Sequence, residues 1–184
     1  MKTKAPQIIL PEEKRVGVFG SSESGKTTLA IRISQQIFRN EKREAVILSP
    51  NDKDAVKKWH PGRVFRNEEQ FWDFVFNVGE NLLIVVDDAS ETIAKDKALT
   101  NVFTSMRHRG HKLLVIGHRF DDLTPKMRGS LQRVFLFKQD EASCMKWSEH
   151  FSGEDLSPAQ WFKQYRCLTV ANYQPVVIFD TKPL

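Results

Sequence analysis

Val16-Gly17-Val18-Phe19-Gly20-Ser21-Ser22-Glu23-Ser24-Gly25-Lys26-Thr27-Thr28-Leu29 is the stretch on which the reading of this chain turns. Its first four residues are a short apolar run that reads as a buried strand, and Gly20 is where the chain turns. Residues 20–27 then match the P-loop pattern at all of its fixed positions. Each position has a physical role. A polyphosphate is wrapped closely by backbone N–H groups, so bulky side chains are excluded at the tight points, where Gly20 and Gly25 stand. The loop Ser21, Ser22, Glu23 and Ser24 supplies the wrapping amides, and Thr28 continues the path. Beyond it, residues 26–38 read as a helix with Leu29, Ile33 and Ile37 on one face. The exposed N–H groups and dipole at the start of that helix favour an anion. Lys26 is placed to reach the β- and γ-phosphates, and Thr27 to offer its hydroxyl to Mg²⁺.

Working outward, strands and helices alternate. Residues 45–48 read as a second strand stopped by Ser49-Pro50-Asn51-Asp52, and residues 63–65 as a third. Asn67 caps a helix with Glu68 and Glu69 in its first turn, Gln70 at the capping-box position, an apolar face of Phe71, Phe74, Val75 and Val78, and Gly79 as its stop. Residues 82–86 are apolar throughout, as expected of a parallel strand covered on both faces. Ser90 can cap a further helix that buries Leu99, Val102, Phe103 and Met106 and closes at Gly110. Residues 113–116 and 134–137 read as two more strands, with a short helix opened by Thr124-Pro125 between them. This alternation predicts an α/β fold: a three-layer sandwich of the P-loop NTPase type, with a mostly parallel central sheet. Residues 1–138 form the expected core. Residues 139–184, with a helix near 141–151, a helix start at Ser157-Pro158 and two short strands at 167–170 and 176–179, read as an appendage packed on the same domain.

Two acids complete the nucleotide reading. Asp87 ends the apolar run 82–86, where a carboxylate can hold Mg²⁺ directly or through water, the Walker B role. Asp88 follows on the other side of the strand end and is the candidate base that polarises an attacking water. Asn51-Asp52-Lys53-Asp54 has the wrong order for guanine recognition, so ATP is the expected nucleotide.

Composition sets the bounds. The chain has 184 residues, of which 28 are Lys or Arg and 23 Asp or Glu, giving a net charge of +5. With 40% hydrophobic residues and 13 Phe it can bury a real core. The longest aliphatic run, 82–86, is too short to cross a bilayer, and no signal-like segment follows Met1, so a cytoplasmic location is expected. Two cysteines, Cys144 and Cys167, are too few for a disulfide framework or a four-ligand zinc site and read as small buried residues. Basic residues crowd at Arg107, His108, Arg109, His111 and Lys112, with Arg119, Lys126, Arg128 and Arg133 beyond.

With these residues placed, the chain resembles the FtsK–HerA branch of P-loop ATPases, and within it the small genome-packaging ATPases of double-stranded DNA viruses. The resemblance covers residues 16–137. It is carried by residues 20–27, residues 82–88, the basic turn Met106-Arg107-His108-Arg109-Gly110-His111-Lys112, and Leu114-Val115-Ile116-Gly117-His118-Arg119-Phe120 with Pro125, Arg128 and the strand that follows. In that family the strand after the basic turn commonly ends in a Gln or Asn that senses the γ-phosphate. Here His118 stands in that place; a neutral His can still donate one hydrogen bond, and its use as a sensor would depend on pH.

The resemblance implies a homo-pentamer or homo-hexamer with ATP at subunit boundaries and an arginine supplied across the boundary, for which Arg107 and Arg109 are the candidates and Arg119 and Arg128 the reserves. It implies double-stranded DNA as partner, held by its backbone because a translocase tolerates any sequence. Lys53, Lys57, Lys58, Lys95 and Lys97 are plausible contributors, and Trp59, Trp72, Trp147 and Trp161 could stack on bases only if exposed. A capsid vertex protein, and a place in the host cytoplasm or at a packaging vertex, belong to the same expectation. The rival readings are a nucleotide or small-molecule kinase, a phage morphogenesis or secretion ATPase, and a scaffold that only binds ATP.

Overall fold

A computed structural model describes residues 8–9, 12–88, 109–171 and 174–182. The helix read at 90–106, together with Arg107, His108, Lys95 and Lys97, lies outside them.

Eight strands form one sheet in the order β3-β2-β4-β5-β1-β6-β7-β8. The first six in chain order are β1 (Arg15–Phe19), β2 (Ala45–Leu48), β3 (Arg63–Phe65), β4 (Leu83–Val86), β5 (Lys112–Gly117) and β6 (Arg133–Leu136). Every pairing among these six is parallel. Their C-terminal ends therefore open on one edge, where ligands bind in sheets of this kind. β7 (Arg166–Ala171) and β8 (Gln174–Asp180) join β6 antiparallel, so the tail lengthens the sheet itself.

The core divides by strand alternation, because successive side chains leave a strand on opposite faces. Leu83 and Val85 face α1 (Lys26–Glu41) with Leu29, Ile33 and Ile37, the three positions read as its apolar face. Ile84 and Val86 face the other layer, built on Phe71 and Trp72 of α3 (Glu68–Asp73) and Trp147 of α5 (Glu141–His150). Two short helical segments, α2 (Ala55–Lys58) and α4 (Pro125–Arg128), connect strands.

Local signals explain the starts. Asn67 accepts from the Gln70 N–H at 2.9 Å, and Thr124 caps α4 with Pro125 at its first position. The helix expected through Val78 departs from expectation. After Asp73 it widens into a π-helical turn, Phe74–Val78, before Gly79 stops it. The wider turn keeps Val75 buried but carries Val78, read as part of the apolar face, out to 65% exposure. Three of the four tryptophans are buried, Trp59, Trp72 and Trp147, while Trp161 is 82% exposed. Both cysteines are buried and unpaired, and burial pushes the Cys144 thiol up to about 11.

Candidate nucleotide site

The loop between β1 and α1 is pinned from beneath. Gly20 N–H donates to Gly117 C=O at 3.3 Å, and Ser21 N–H to Lys138 C=O at 2.9 Å. Both glycines are required by space. A Cβ on Gly20 would stand 2.6 Å from Phe137 Cβ; one on Gly25 would meet the Tyr165 ring at 2.8 Å. Gly25 also has φ +109°, a left-handed conformation costly for any residue with a side chain. Lys26 is buried and folds back on the loop, its Nζ donating to Gly20 C=O at 2.7 Å and Ser21 C=O at 2.8 Å. The ammonium thus braces the loop it is meant to serve. Burial lowers its pKa from the ordinary lysine value; Asp87, Asp88 and Asp122 pull it back up.

Lys26 and Thr27 share one cleft of about 340 Å³ with Asp87, Asp88 and His118, lined also by residues 49–52. The topology makes this meeting. β4 and β5 are neighbours and β5 lies beside β1, so the acids after β4, His118 after β5 and the loop after β1 reach the same edge. Burial raises the pKa of Asp87, and the Ser49 hydroxyl, donating to Asp87 Oδ2 at 3.1 Å, opposes that rise. Asp88 adopts a left-handed φ of +64° at the cleft, and His118 Nε2 stands 3.9 Å from its Oδ1. His118 itself is latched in place: its N–H donates to Asp122 Oδ2 at 2.5 Å, and its C=O accepts from Gln139 at 3.0 Å. Ser49 and Gln139 were not legible as site residues, because their partners are fixed only by sheet order; Asp122 reaches back to His118 and Arg119 within one turn that no motif marked.

Thr27 and Asp87 are hard oxygen donors, and Mg²⁺ characteristically takes one or two protein oxygens and completes its shell with phosphate and water. A carboxylate raised by desolvation and held at one oxygen suits that use. Among the described residues no group of three or more His, Cys, Asp or Glu is arranged to hold a metal ion by itself.

The basic turn divides differently. Arg107 lies outside the described residues. Arg109 precedes β5 and sits at the sheet edge opposite the cleft, a strand length of about 20 Å away. Its guanidinium donates to Gly79 C=O at 3.3 Å, and its C=O accepts from Asn81. The structure does not bring Arg109 to the cleft of its own chain. His111 and Lys112 are buried there too. Arg128 stacks over Phe120 at 4.0 Å and donates to the Phe120 and Leu123 carbonyls, which gives it a packing role. Arg119 is at the cleft edge, 72% exposed and 3.8 Å from Asp140.

No family model matches the chain, and no curated protein matches it in sequence. Solved structures do match. The genome-packaging NTPase B204 of Sulfolobus turreted icosahedral virus 2 in complex with AMPPCP superposes with a TM-score of 0.72 at 19% identity, over 96% of this chain and 100% of that one. B204, the DNA-packaging ATPase from Sulfolobus turreted icosahedral virus, gives 0.74 at 18%, over 93% and 98%. The cytoplasmic domain of the type VII secretion ATPase EccC of Thermomonospora curvata gives 0.64 at 15%, over 91% of this chain and 23% of that one. Strand order and these matches show the fold, the α/β sandwich of P-loop NTPases with a mostly parallel central sheet.

Proposed function

We propose that this chain is an ATP-hydrolysing DNA translocase that works as a homo-oligomeric ring, most specifically a viral genome-packaging ATPase. The observation that carries the ATPase reading is the single cleft that gathers Lys26, Thr27, Asp87, Asp88 and His118 at the C-terminal edge of a parallel sheet. The packaging reading is supported by similarity to B204 over nearly the whole of both chains, whereas EccC is matched over only a fraction of its length.

In this reading the amides of residues 20–27 bind the phosphates and Lys26 neutralises their terminal charge. Thr27 and Asp87 would hold Mg²⁺, which when bound with the nucleotide supplies further neutralisation of the phosphate oxygens. Asp88 takes the proton of the attacking water, and His118 would report whether the terminal phosphate is present, a reading supported by its standing 3.9 Å from Asp88. Arg109 is left a role on a neighbour's nucleotide rather than its own, and Arg107 keeps the same expectation. DNA would be held by backbone contacts, with Lys53, Lys57 and Lys58 exposed on one side of the cleft edge. A capsid vertex protein is the partner that packaging requires. Among the described residues no helix is long and apolar enough to cross a membrane.

The test is ATP turnover with and without double-stranded DNA, with mass measured in solution on the same samples. Turnover that rises with assembly and with DNA supports the proposal. Turnover that is flat across dilution and indifferent to DNA, or that rises with a nucleoside acceptor, rejects it in favour of a kinase.

A further inference from the structure

The phosphate loop has a second side. Residues 23–28, with Gln164 and Tyr165, line another cleft, of about 450 Å³. Glu23, Lys26 and Thr27 border both clefts, so the loop is the wall between them. The acids and His118 occupy only the first. A triphosphate whose terminal end lay with Lys26 and Asp87 would cross the first turn of α1 beside Thr27 and Thr28, toward the second cleft.

That second cleft is built, and the tail builds it. Tyr165 N–H donates to Ser24 C=O at 2.8 Å, and Tyr165 C=O accepts from the Thr181 N–H at 2.6 Å and the Thr181 hydroxyl at 3.0 Å. These bonds hold Tyr165 at φ +65° with its ring against Gly25, half-buried and bordering the cleft. Ser24, which also borders it, is buried and its Oγ has no hydrogen-bond partner. A flat aromatic face and an exposed amide, Gln164, therefore stand where a nucleoside would emerge. A neighbouring cleft carries the exposed Trp161, but it borders the loop only at Ser21–Ser24 and touches neither Thr27 nor Thr28.

We propose that the cleft between the phosphate loop and Gln164–Tyr165 is the nucleoside pocket, with Tyr165 packed on the base and Gln164 hydrogen-bonded to base or ribose. The proposal rests on the first cleft's being the triphosphate site. It gives Gln164 and Tyr165, which carried no motif in the sequence, a direct part in binding.

The test compares ATP with inorganic tripolyphosphate, both with Mg²⁺, in equilibrium binding to the full chain. Tyr165→Ala is expected to weaken ATP about tenfold, the scale of one lost base–aromatic stack, while tripolyphosphate stays within twofold. Tyr165→Phe should bind both as the parent does. Tyr165→Trp should gain a fluorescence change with ATP that tripolyphosphate does not produce. Equal loss of both ligands in Tyr165→Ala would mean that the ring only props the loop, and would overturn the proposal. Unchanged ATP binding in Tyr165→Ala, or a loss in Trp161→Ala instead, would overturn it as well. Lys26→Ala tests the underlying reading separately: it should lose both ligands, and retention of both would remove the triphosphate site and the nucleoside pocket with it.

Discussion

The two edges of the parallel sheet both gather charge, and they treat it in opposite ways. At the N-terminal edge, Lys112 is buried and bonded to Glu41 at 2.6 Å, and Arg43 takes the other oxygen of the same carboxylate at 2.6 Å. His111 accepts from the Leu82 N–H at 3.0 Å, and burial holds its pKa below the ordinary value. The charges there are closed against one another. At the C-terminal edge, Lys26, Asp87 and Asp88 surround an open cleft, and both Lys26 and Asp87 are shifted by burial toward their neutral forms. A packed ion pair needs no third party. Groups desolvated around a space are poised for a ligand of complementary charge. The difference shows that crowding of charge in a sequence locates a site only once the end of the strand it belongs to is known.

The comparison breaks most visibly at its two lysines. Lys26→Ala is expected to abolish ATP binding and turnover, a loss of at least about a hundredfold given its place against the phosphate path, with little change in melting temperature. Retained turnover would end the phosphate-site reading. Next in size is Asp88→Asn, which should keep ATP bound and lower turnover by about 10²–10⁴-fold, as removal of a general base does. Normal turnover in that variant would assign the base elsewhere. Lys112→Met should do the reverse of Lys26→Ala. Removing one partner of a buried pair costs roughly 3 kcal/mol, less here to the extent that Arg43 still faces Glu41. Chemical denaturation should register that loss while ATP affinity stays within twofold; an equal loss of affinity would show that the two edges are coupled.

Much of the fold was legible because its signals are local. The run 82–86, the cap at Asn67 and the Thr124-Pro125 start each act within a few residues, and each element forms where it was read. The loop 20–27 was legible for the same reason. What could not be read depends on which strand lies beside which. Ser49 holds Asp87 across β2 and β4, and Tyr165 closes on Gly25 from 140 residues away. The basic turn divides in a way the sequence does not show: Arg109 stays exposed ahead of β5 with its guanidinium on Gly79 C=O, while His111 and Lys112 are buried at the base of that strand.

The smallest expected effect is also the one that tests whether the cleft is poised rather than merely charged. Asp87 has its pKa raised above the ordinary 3.8 chiefly by burial. The fold therefore prefers the neutral carboxyl. That preference contributes stability fully below pH 3.8, where the unfolded chain is also protonated, and the contribution is lost as pH rises through the folded-state pKa. At neutral pH the ionised group is a cost to the metal-free protein. Asp87→Asn removes that charge in a side chain of the same size, with an amide that can still meet Ser49. Without metal or nucleotide it should raise the melting temperature at pH 7–8 by about 1–3 °C. The gain should shrink as pH falls and vanish below about pH 4, where both chains carry a neutral group. Added Mg²⁺ and ATP should reverse the ranking, since the parent alone can turn the carboxylate's cost into ligand binding. A variant less stable than the parent at neutral pH would mean that Lys26 already neutralises Asp87 as fully as Glu41 neutralises Lys112, and the contrast between the two edges would collapse.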